Sequence, residues 1–187
     1  EYAENKEITE LKNGDHCPKC KGRIVEQKSI EVGNIFPLGD KYSKALDLKF
    51  IDEKGDSHYV IMGSYGIGLG RVAGAIVEVN HDKEGVIWPE AVAPFRAHLI
   101  VLAEAKKAGD ELYEKLLHGG VEVLYDDQTD KTAGEKFADA DLIGCPLRLV
   151  VSEKTLQKNS VEVKRRNEKE VRLVPIDPAL EKLISSM

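Results

Sequence analysis

Between positions 63 and 71 the chain reads Gly63-Ser64-Tyr65-Gly66-Ile67-Gly68-Leu69-Gly70-Arg71, four glycines closed by an arginine. Glycine inside a strand costs conformational entropy and packs nothing, so such a row marks close approach of a ligand or of another backbone. The planar guanidinium of Arg71 stacks on rings and pairs with phosphates, so a nucleotide lying over the glycines is one chemistry this segment could serve. A crowded strand–helix junction would use the same glycines. A dinucleotide fingerprint, G-x-G-x-x-G, does not fit: counted from Gly66 the sixth residue is Arg71, and counted from Gly68 the third glycine would be Ala73. A second candidate is Cys17-Pro-Lys-Cys20 with Lys21-Gly22, half of a zinc knuckle. A tetrahedral site needs four ligands. The third cysteine, Cys145, stands far away beside Pro146, and His16 is too close in sequence to share a metal with its neighbour. No metal site and no zinc are therefore expected, and the pair reads as a turn. The third group is Gln128, Lys131, Lys136 and Phe137 with Lys164-Arg165-Arg166. Phosphates need cations and unstacked bases need flat or polar groups, so these residues could face RNA. They could equally be a solvated charged surface, with Phe137 in the core beside Leu142.

The elements that position these groups follow from periodicity. Ile30 to Leu38 is predicted as a strand ended by Gly39-Asp40, and Leu46 to Asp52 alternates apolar and polar residues as a half-buried strand does. Glu53-Lys54-Gly55-Asp56 is a turn before a strand from His58 to Met62, which predicts a hairpin. After the glycines, Val72, Ala75, Ile76 and Val79 fall at helical spacing. Two prolines in Pro89-Glu90-Ala91-Val92-Ala93-Pro94 suggest a linker. From Arg96 strands and helices alternate: strands at Ala97 to Leu102, Val121 to Tyr125 and Leu147 to Val151, with helices at Gly109 to His118 and Glu135 to Ile143. Two more strands, Val161 to Lys164 and Val171 to Ile176, precede a helix from Ala179. This order implies a mixed, partly parallel sheet with helices packed on it.

Composition narrows the setting. The 187 residues are 42% hydrophobic and 32% charged, ordinary for a globular protein. No apolar run approaches membrane-spanning length, and no signal peptide opens the chain, so no membrane is expected as partner. Three cysteines do not make a secreted disulfide framework, which points to a reducing cytoplasm. Net charge of −6 argues against nonspecific coating of nucleic acid but not against a local RNA-binding face. The opening at Glu1 rather than Met suggests a fragment.

Gly66-Ile67-Gly68-Leu69-Gly70-Arg71 followed by Val72-Ala73 resembles motif 3 of class II aminoacyl-tRNA synthetases. Three stretches are similar to the bacterial-type prolyl-tRNA synthetases in particular: Glu31 to Ser43 (EVGNIFPLGDKYS), Gly63 to Gly68, and Gly85-Val86-Ile87-Trp88-Pro89. Tyr125-Asp126-Asp127 and Phe137 to Gly144 continue the likeness in order, so that it covers about residues 29 to 187. The resemblance implies an α+β and α/β fold: the end of the antiparallel class II core, then an α/β anticodon-binding domain with a mixed sheet. It implies a remnant of the inserted editing domain at 1–29, the catalytic-core part at 30–91 and the anticodon-binding domain at 94–187. It implies that Gly66, Gly68, Gly70 and Arg71 bind ATP, with Arg71 catalytic, and that Gly33, Asn34, Phe36 and Ser64 line a proline pocket. The family more often has His at position 34, Cys at 64 and Arg at 128. Gln128, Lys131, Lys136, Phe137, Arg165 and Arg166 are the expected anticodon contacts. The expected ligands and partners are ATP with magnesium, proline, tRNA(Pro) and a second copy in a homodimer of the parent enzyme. Motifs 1 and 2 have no counterpart here, so the chain alone is expected to be inactive. A stand-alone tRNA-binding paralogue with a vestigial core is the alternative.

Overall fold

The computed structural model describes residues 3, 4 and 9–176. It divides into two compact units, Glu1–Val72 and Ala73–Met187. In the first, β1 (Gly33–Gly39) is followed by a one-turn helix α1 (Lys41–Ala45), then β2 (Lys49–Ile51), β3 (Ser57–Tyr59) and β4 (Met62–Ile67). β2 and β3 form the expected antiparallel hairpin, with Phe50 opposite His58. β1 pairs antiparallel with β4, and the register slips between Pro37 and Gly39. Proline has no N–H to give to the ladder, so the slip falls where pairing cannot continue. β2 begins later than the alternation predicts because Leu46 caps α1 and Asp47 turns the chain at a φ of 51°. α1 carries too few residues to show a period.

Among the described residues neither sheet of this unit exceeds two strands. A lone two-stranded ribbon is marginal in water. Accordingly Ile35, Ile67 and Tyr65 stay largely exposed, Tyr65 at 77%. α2 (Leu69–Val79) leaves the ribbon through Gly68, whose N–H donates to the Val32 carbonyl at 2.9 Å.

The second unit is built on β5 (Ala97–Val101), α3 (Lys106–His118), β6 (Val123–Asp126), α4 (Ala133–Ile143), β7 (Leu147–Val151), α5 (Glu153–Leu156), β8 (Ser160–Arg165) and β9 (Val171–Pro175). The sheet order is β6-β5-β7-β8-β9. β6, β5 and β7 are parallel, β8 runs antiparallel to β7, and β9 runs antiparallel to β8. Parallel crossovers are right-handed, and the chain steps from β5 outward to β6 and then back past β5 to β7, so successive helices fall on opposite faces. One face packs Leu99, Val101, Leu149 and Val163 against Leu112 and Leu116 of α3. The other packs Ile100 and Val150 against Ala140 of α4, with Phe137 at its margin. α4 begins with a capping box between Thr132 and Glu135 and ends at Gly144 with a φ of 79°. A Cβ at Gly144 would collide with the Val86 carbonyl, so glycine serves there both the left-handed turn and the close approach.

Residues 80–90 are fastened to this unit. Trp88 Nε1 donates to the Ile143 carbonyl at 3.0 Å, and Arg165 Nη1 reaches Glu90 at 3.1 Å. Pro89 and Pro94 do bound a short segment, but Glu90–Val92 within it is a turn of 3-10 helix. The helix expected from Ala179 lies outside the described residues. No helix among the described residues is long and apolar enough to cross a membrane.

Candidate functional site

The β1–β4 ribbon places Asn34 opposite Gly66 and Phe36 opposite Ser64. Directly opposed residues of an antiparallel pair share a face, so Asn34, Phe36, Ser64 and Gly66 lie on one side of the ribbon. Gly33 pairs with Ile67 and therefore faces the other side. The expected proline set is thus gathered for three of its four members. A Cβ at Gly66 would come within 3.0 Å of the Asn34 side-chain oxygen, so glycine there keeps the surface flat beside Asn34. Asn34 Nδ2 in turn donates to Glu31 Oε1 at 3.0 Å.

Arg71 sits in the first turn of α2 and leans back to the start of the ribbon. Its Nη1 donates to the Glu31 carbonyl at 2.8 Å and lies 3.7 Å from the Glu31 carboxylate. With 53% of its side chain exposed, the guanidinium is held at one edge and open on the others. A positioned, accessible guanidinium next to a flat glycine surface can meet the ring and phosphates of a nucleotide. Magnesium prefers several oxygen ligands. Glu31 is the one carboxylate that meets Arg71 among the described residues, so these residues do not make a magnesium site by themselves.

The expected RNA-facing residues of the second unit are not one patch. Gln128 and Lys131 follow β6, at the C-terminal edge of the parallel strands. Arg165 pairs with Leu147, the first residue of β7, so it and Arg166 stand at the opposite edge. Five residues of strand separate the two edges, roughly 16 Å. Lys136 is 1% exposed, with Nζ 3.2 Å from Asp126 and donating to the Val101 carbonyl at 2.8 Å. It closes the end of the sheet from inside and cannot reach a phosphate. Arg166 is also buried: its Nη1 and Nη2 donate to Asp82 at 2.8 and 2.6 Å, and Nε to the Asp141 carbonyl at 2.9 Å. Phe137 is half-buried beneath the Arg148 guanidinium, which lies 4.6 Å from its ring centre. Gln128 is exposed with its N–H on Asp126 Oδ1 at 3.2 Å, and Lys131 bonds Asp139 at 2.6 Å while remaining partly open.

Sequence reasoning missed the other half of the C-terminal edge. Lys106, the first residue of α3, bridges Asp110 at 3.4 Å and Asp127 at 3.1 Å. Tyr125 stacks on Tyr113 with ring centres 4.7 Å apart and donates its hydroxyl to Asp110 at 2.5 Å. Burial, and then the Asp110 carboxylate, push the Tyr125 hydroxyl well above its usual titration range. The pair Asp126-Asp127 carried the signal for this edge, but only the fold brings Lys106 to it.

Elsewhere, Asp52, Asp56 and His58 cluster at the β2–β3 turn, yet Asp52 already accepts the backbone N–H groups of Lys54 and Asp56 and meets His58 at 2.9 Å. That arrangement is a self-satisfied turn.

Residues 91–186 match the family model of the anticodon binding domain, and residues 6–80 match that of the tRNA synthetase class II core domain (G, H, P, S and T). The chain is 44% identical over 183 residues to a proline–tRNA ligase of Pelotomaculum thermopropionicum, covering 95% of this chain and 32% of that protein. It is 46% identical over 175 residues to the proline–tRNA ligase of Citrifermentans bemidjiense, covering 91% and 30%. Among solved structures it resembles a prolyl-tRNA synthetase from Cryptosporidium parvum complexed with L-proline and AMP, with a TM-score of 0.70 at 29% identity over 83% of this chain and 35% of that one. The chain thus spans about a third of the length of these relatives.

Proposed function

We propose that this chain, which belongs to the prolyl-tRNA synthetase family with its class II core and anticodon-binding domain, works as the C-terminal third of a proline–tRNA ligase. In that protein it supplies one wall of the site that activates proline with ATP, and the surface that reads the anticodon of tRNA(Pro). The observation that carries this reading is the ribbon of the first unit. Its glycines and Arg71 form one side of a nucleotide site, while Ile35, Tyr65 and Ile67 are exposed as strands awaiting the remainder of a sheet would be. The domain division we adopt is 1–29, 30–91 and 94–187.

Within the site, Gly66 and Gly70 let the adenosine lie close, Arg71 offsets phosphate charge, and Asn34, Phe36 and Ser64 face the amino acid. Preorganised donors of this kind stabilise charge that develops at the phosphate as the adenylate forms. Magnesium and the other phosphate contacts come from parts of the ligase outside this chain, as does the homodimer interface. The anticodon is read at the C-terminal edge of the sheet by Gln128, Lys131 and Lys106. Lys136, Phe137 and Arg166 hold that edge in shape, and Arg165 belongs to the opposite edge. The protein acts in the cytoplasm and holds no zinc.

The test is proline-dependent ATP–pyrophosphate exchange. The chain alone is expected to show none, and a full-length protein carrying it behind a class II core with motifs 1 and 2 is expected to show exchange. Exchange by the isolated chain would overturn the division of labour, and a folded full-length protein without exchange would overturn the reading itself.

A further inference from the structure

Arg165 and the half-buried Trp88 serve neither site above. Both line a cavity of about 220 Å³ that is formed entirely by the second unit, where β7 begins and β8 ends. We propose that this cavity holds a single unstacked nucleotide, its base against Trp88 and its phosphate on Arg165. It lies at the opposite edge of the sheet from the anticodon surface and does not depend on it.

The walls are fixed by bonds of their own. Trp88 donates its backbone N–H to the Gly144 carbonyl at 3.2 Å and its indole N–H to the Ile143 carbonyl at 3.0 Å, so the ring offers apolar surface and no spare donor. Pro146 lines the cavity as well, and its carbonyl takes the Arg166 N–H at 2.9 Å. Asn80, on another wall, gives Nδ2 to the Ile76 carbonyl at 2.9 Å. Its side-chain oxygen is left to accept from the amino or imino group of a base.

Charge and size select the ligand. Arg166 brings a buried guanidinium to the lining and spends three of its five N–H donors on Asp82 and Asp141, which leaves two. Arg165 is 35% exposed and meets Glu90 at 3.1 Å. An exposed pair of this kind contributes little, and phosphate pairs with a guanidinium through two parallel bonds, so a phosphate can take Arg165 from Glu90. Two guanidinium groups face the single carboxylate of Glu90 in the lining, which favours an anion. Aromatic rings and arginine planes are the surfaces on which unstacked bases settle. Pockets for drug-sized ligands begin at about 300 Å³, so this one suits one base with its phosphate rather than a run of bases.

The probe is uridine monophosphate, which lacks the adenine that the glycine ribbon of the first unit would take. Equilibrium dialysis with the whole chain counts bound nucleotide, and the emission of Trp88, the single tryptophan, locates it. One nucleotide per chain and a saturable change in emission are expected. Arg165→Ala should weaken binding by about tenfold or more, as loss of a charged hydrogen bond does. Glu90→Gln should tighten it, because the competitor for Arg165 is gone, whereas a merely structural pair would give no gain. Both side chains are partly exposed, so neither change opens the core. Tighter binding of single-stranded oligouridylate than of the mononucleotide would support the site with an RNA strand as the source, and equal affinity would support it with a free nucleotide. No saturable binding, binding that leaves Trp88 emission unchanged, wild-type affinity in Arg165→Ala, or inorganic phosphate binding as tightly as the nucleotide would each overturn the proposal.

Discussion

The guanidinium of Arg166 grips both carboxylate oxygens of Asp82, at 2.8 and 2.6 Å, across 84 residues of sequence. Two parallel N–H···O bonds fix direction as well as distance. This fork ties the segment after α2 to the end of β8, and the Asp141 carbonyl takes the third donor of the same side chain. Hydrogen bonds from Arg166 hold the Asp82 carboxyl well below the usual carboxylate range.

Arg166→Lys keeps the charge and loses the fork. It is expected to lower the thermal midpoint by about 4 °C or more, given the steep response of small domains to lost contacts. The folded-state pKa of Asp82 is depressed, so the stability it contributes is present above its unfolded value, about 3.9, and fades as pH falls below that. Wild type and the lysine variant should therefore converge in strong acid. Differential scanning calorimetry at pH 7 and pH 3 checks both statements, and an equal gap at the two pH values would refute the second.

Lys136 gives a sharper case. Removing one partner of a buried ion pair strands the other charge, at a cost of about 3–5 kcal/mol. Lys136→Met should therefore shift the urea midpoint strongly, because Asp126 is only 6% exposed. Adding Asp126→Leu should restore most of the loss, as apolar replacements of whole pairs do. A single variant as stable as wild type would show that Lys136 is not the closure described here.

His98 lies on β5 directly beside Arg148 of β7, and its Nδ1 and the Arg148 Nε are both buried without a protein partner. Burial lowers the imidazole's pKa. Asp126 and Asp139 oppose this, while Arg148 and Lys136 reinforce it. The folded domain therefore resists a proton that the unfolded chain accepts near pH 6.5. The unfolded state binds more protons below that pH, so stability should fall as pH drops from 7 to 5. His98→Gln should flatten that slope in urea titrations, and an unchanged slope would exclude His98 as its source.

Arg71→Ala in the full-length protein should slow proline activation. Loss of one preorganised donor costs about 3–4 kcal/mol of barrier, a hundredfold or more in rate. The Glu31 carbonyl is at the surface and water can replace the lost donor, so the fold should persist. A rate within about threefold of wild type, a change of less than 1 kcal/mol, would make Arg71 structural.

These residues show what sequence can and cannot carry. β7, Leu147–Val151, was legible from end to end because it is apolar but for Arg148, as a strand covered on both faces tends to be. α4 was expected from Glu135 and begins two residues earlier, at Ala133, with its Thr132 cap and Gly144 stop one residue outside the helix. The glycine row was read as leading from a strand into a helix, but its pairing as β4 with β1 was not legible. What stayed hidden was direction and burial. Arg165 and Gln128 were both expected to face RNA, but β8 runs back along β7 and carries Arg165 to the far edge. Lys136 and Arg166 read as surface charges, since nothing local shows that Asp126 and Asp82 come to meet them. Lys106 was invisible for the converse reason: its partner Asp127 is 21 residues away.

The central claim, that the C-terminal edge of the second unit reads an anticodon, is tested most directly by titrating the chain with tRNA(Pro) and with the same tRNA carrying a swapped anticodon, at one fixed salt concentration. A good base contact discriminates by about 1–3 kcal/mol. The swap should therefore weaken binding by about tenfold or more, and Gln128→Ala should erase that difference. Lys131→Ala should weaken both tRNAs alike and reduce the salt slope by about one. Equal affinity of the unmodified chain for the two tRNAs would contradict the claim.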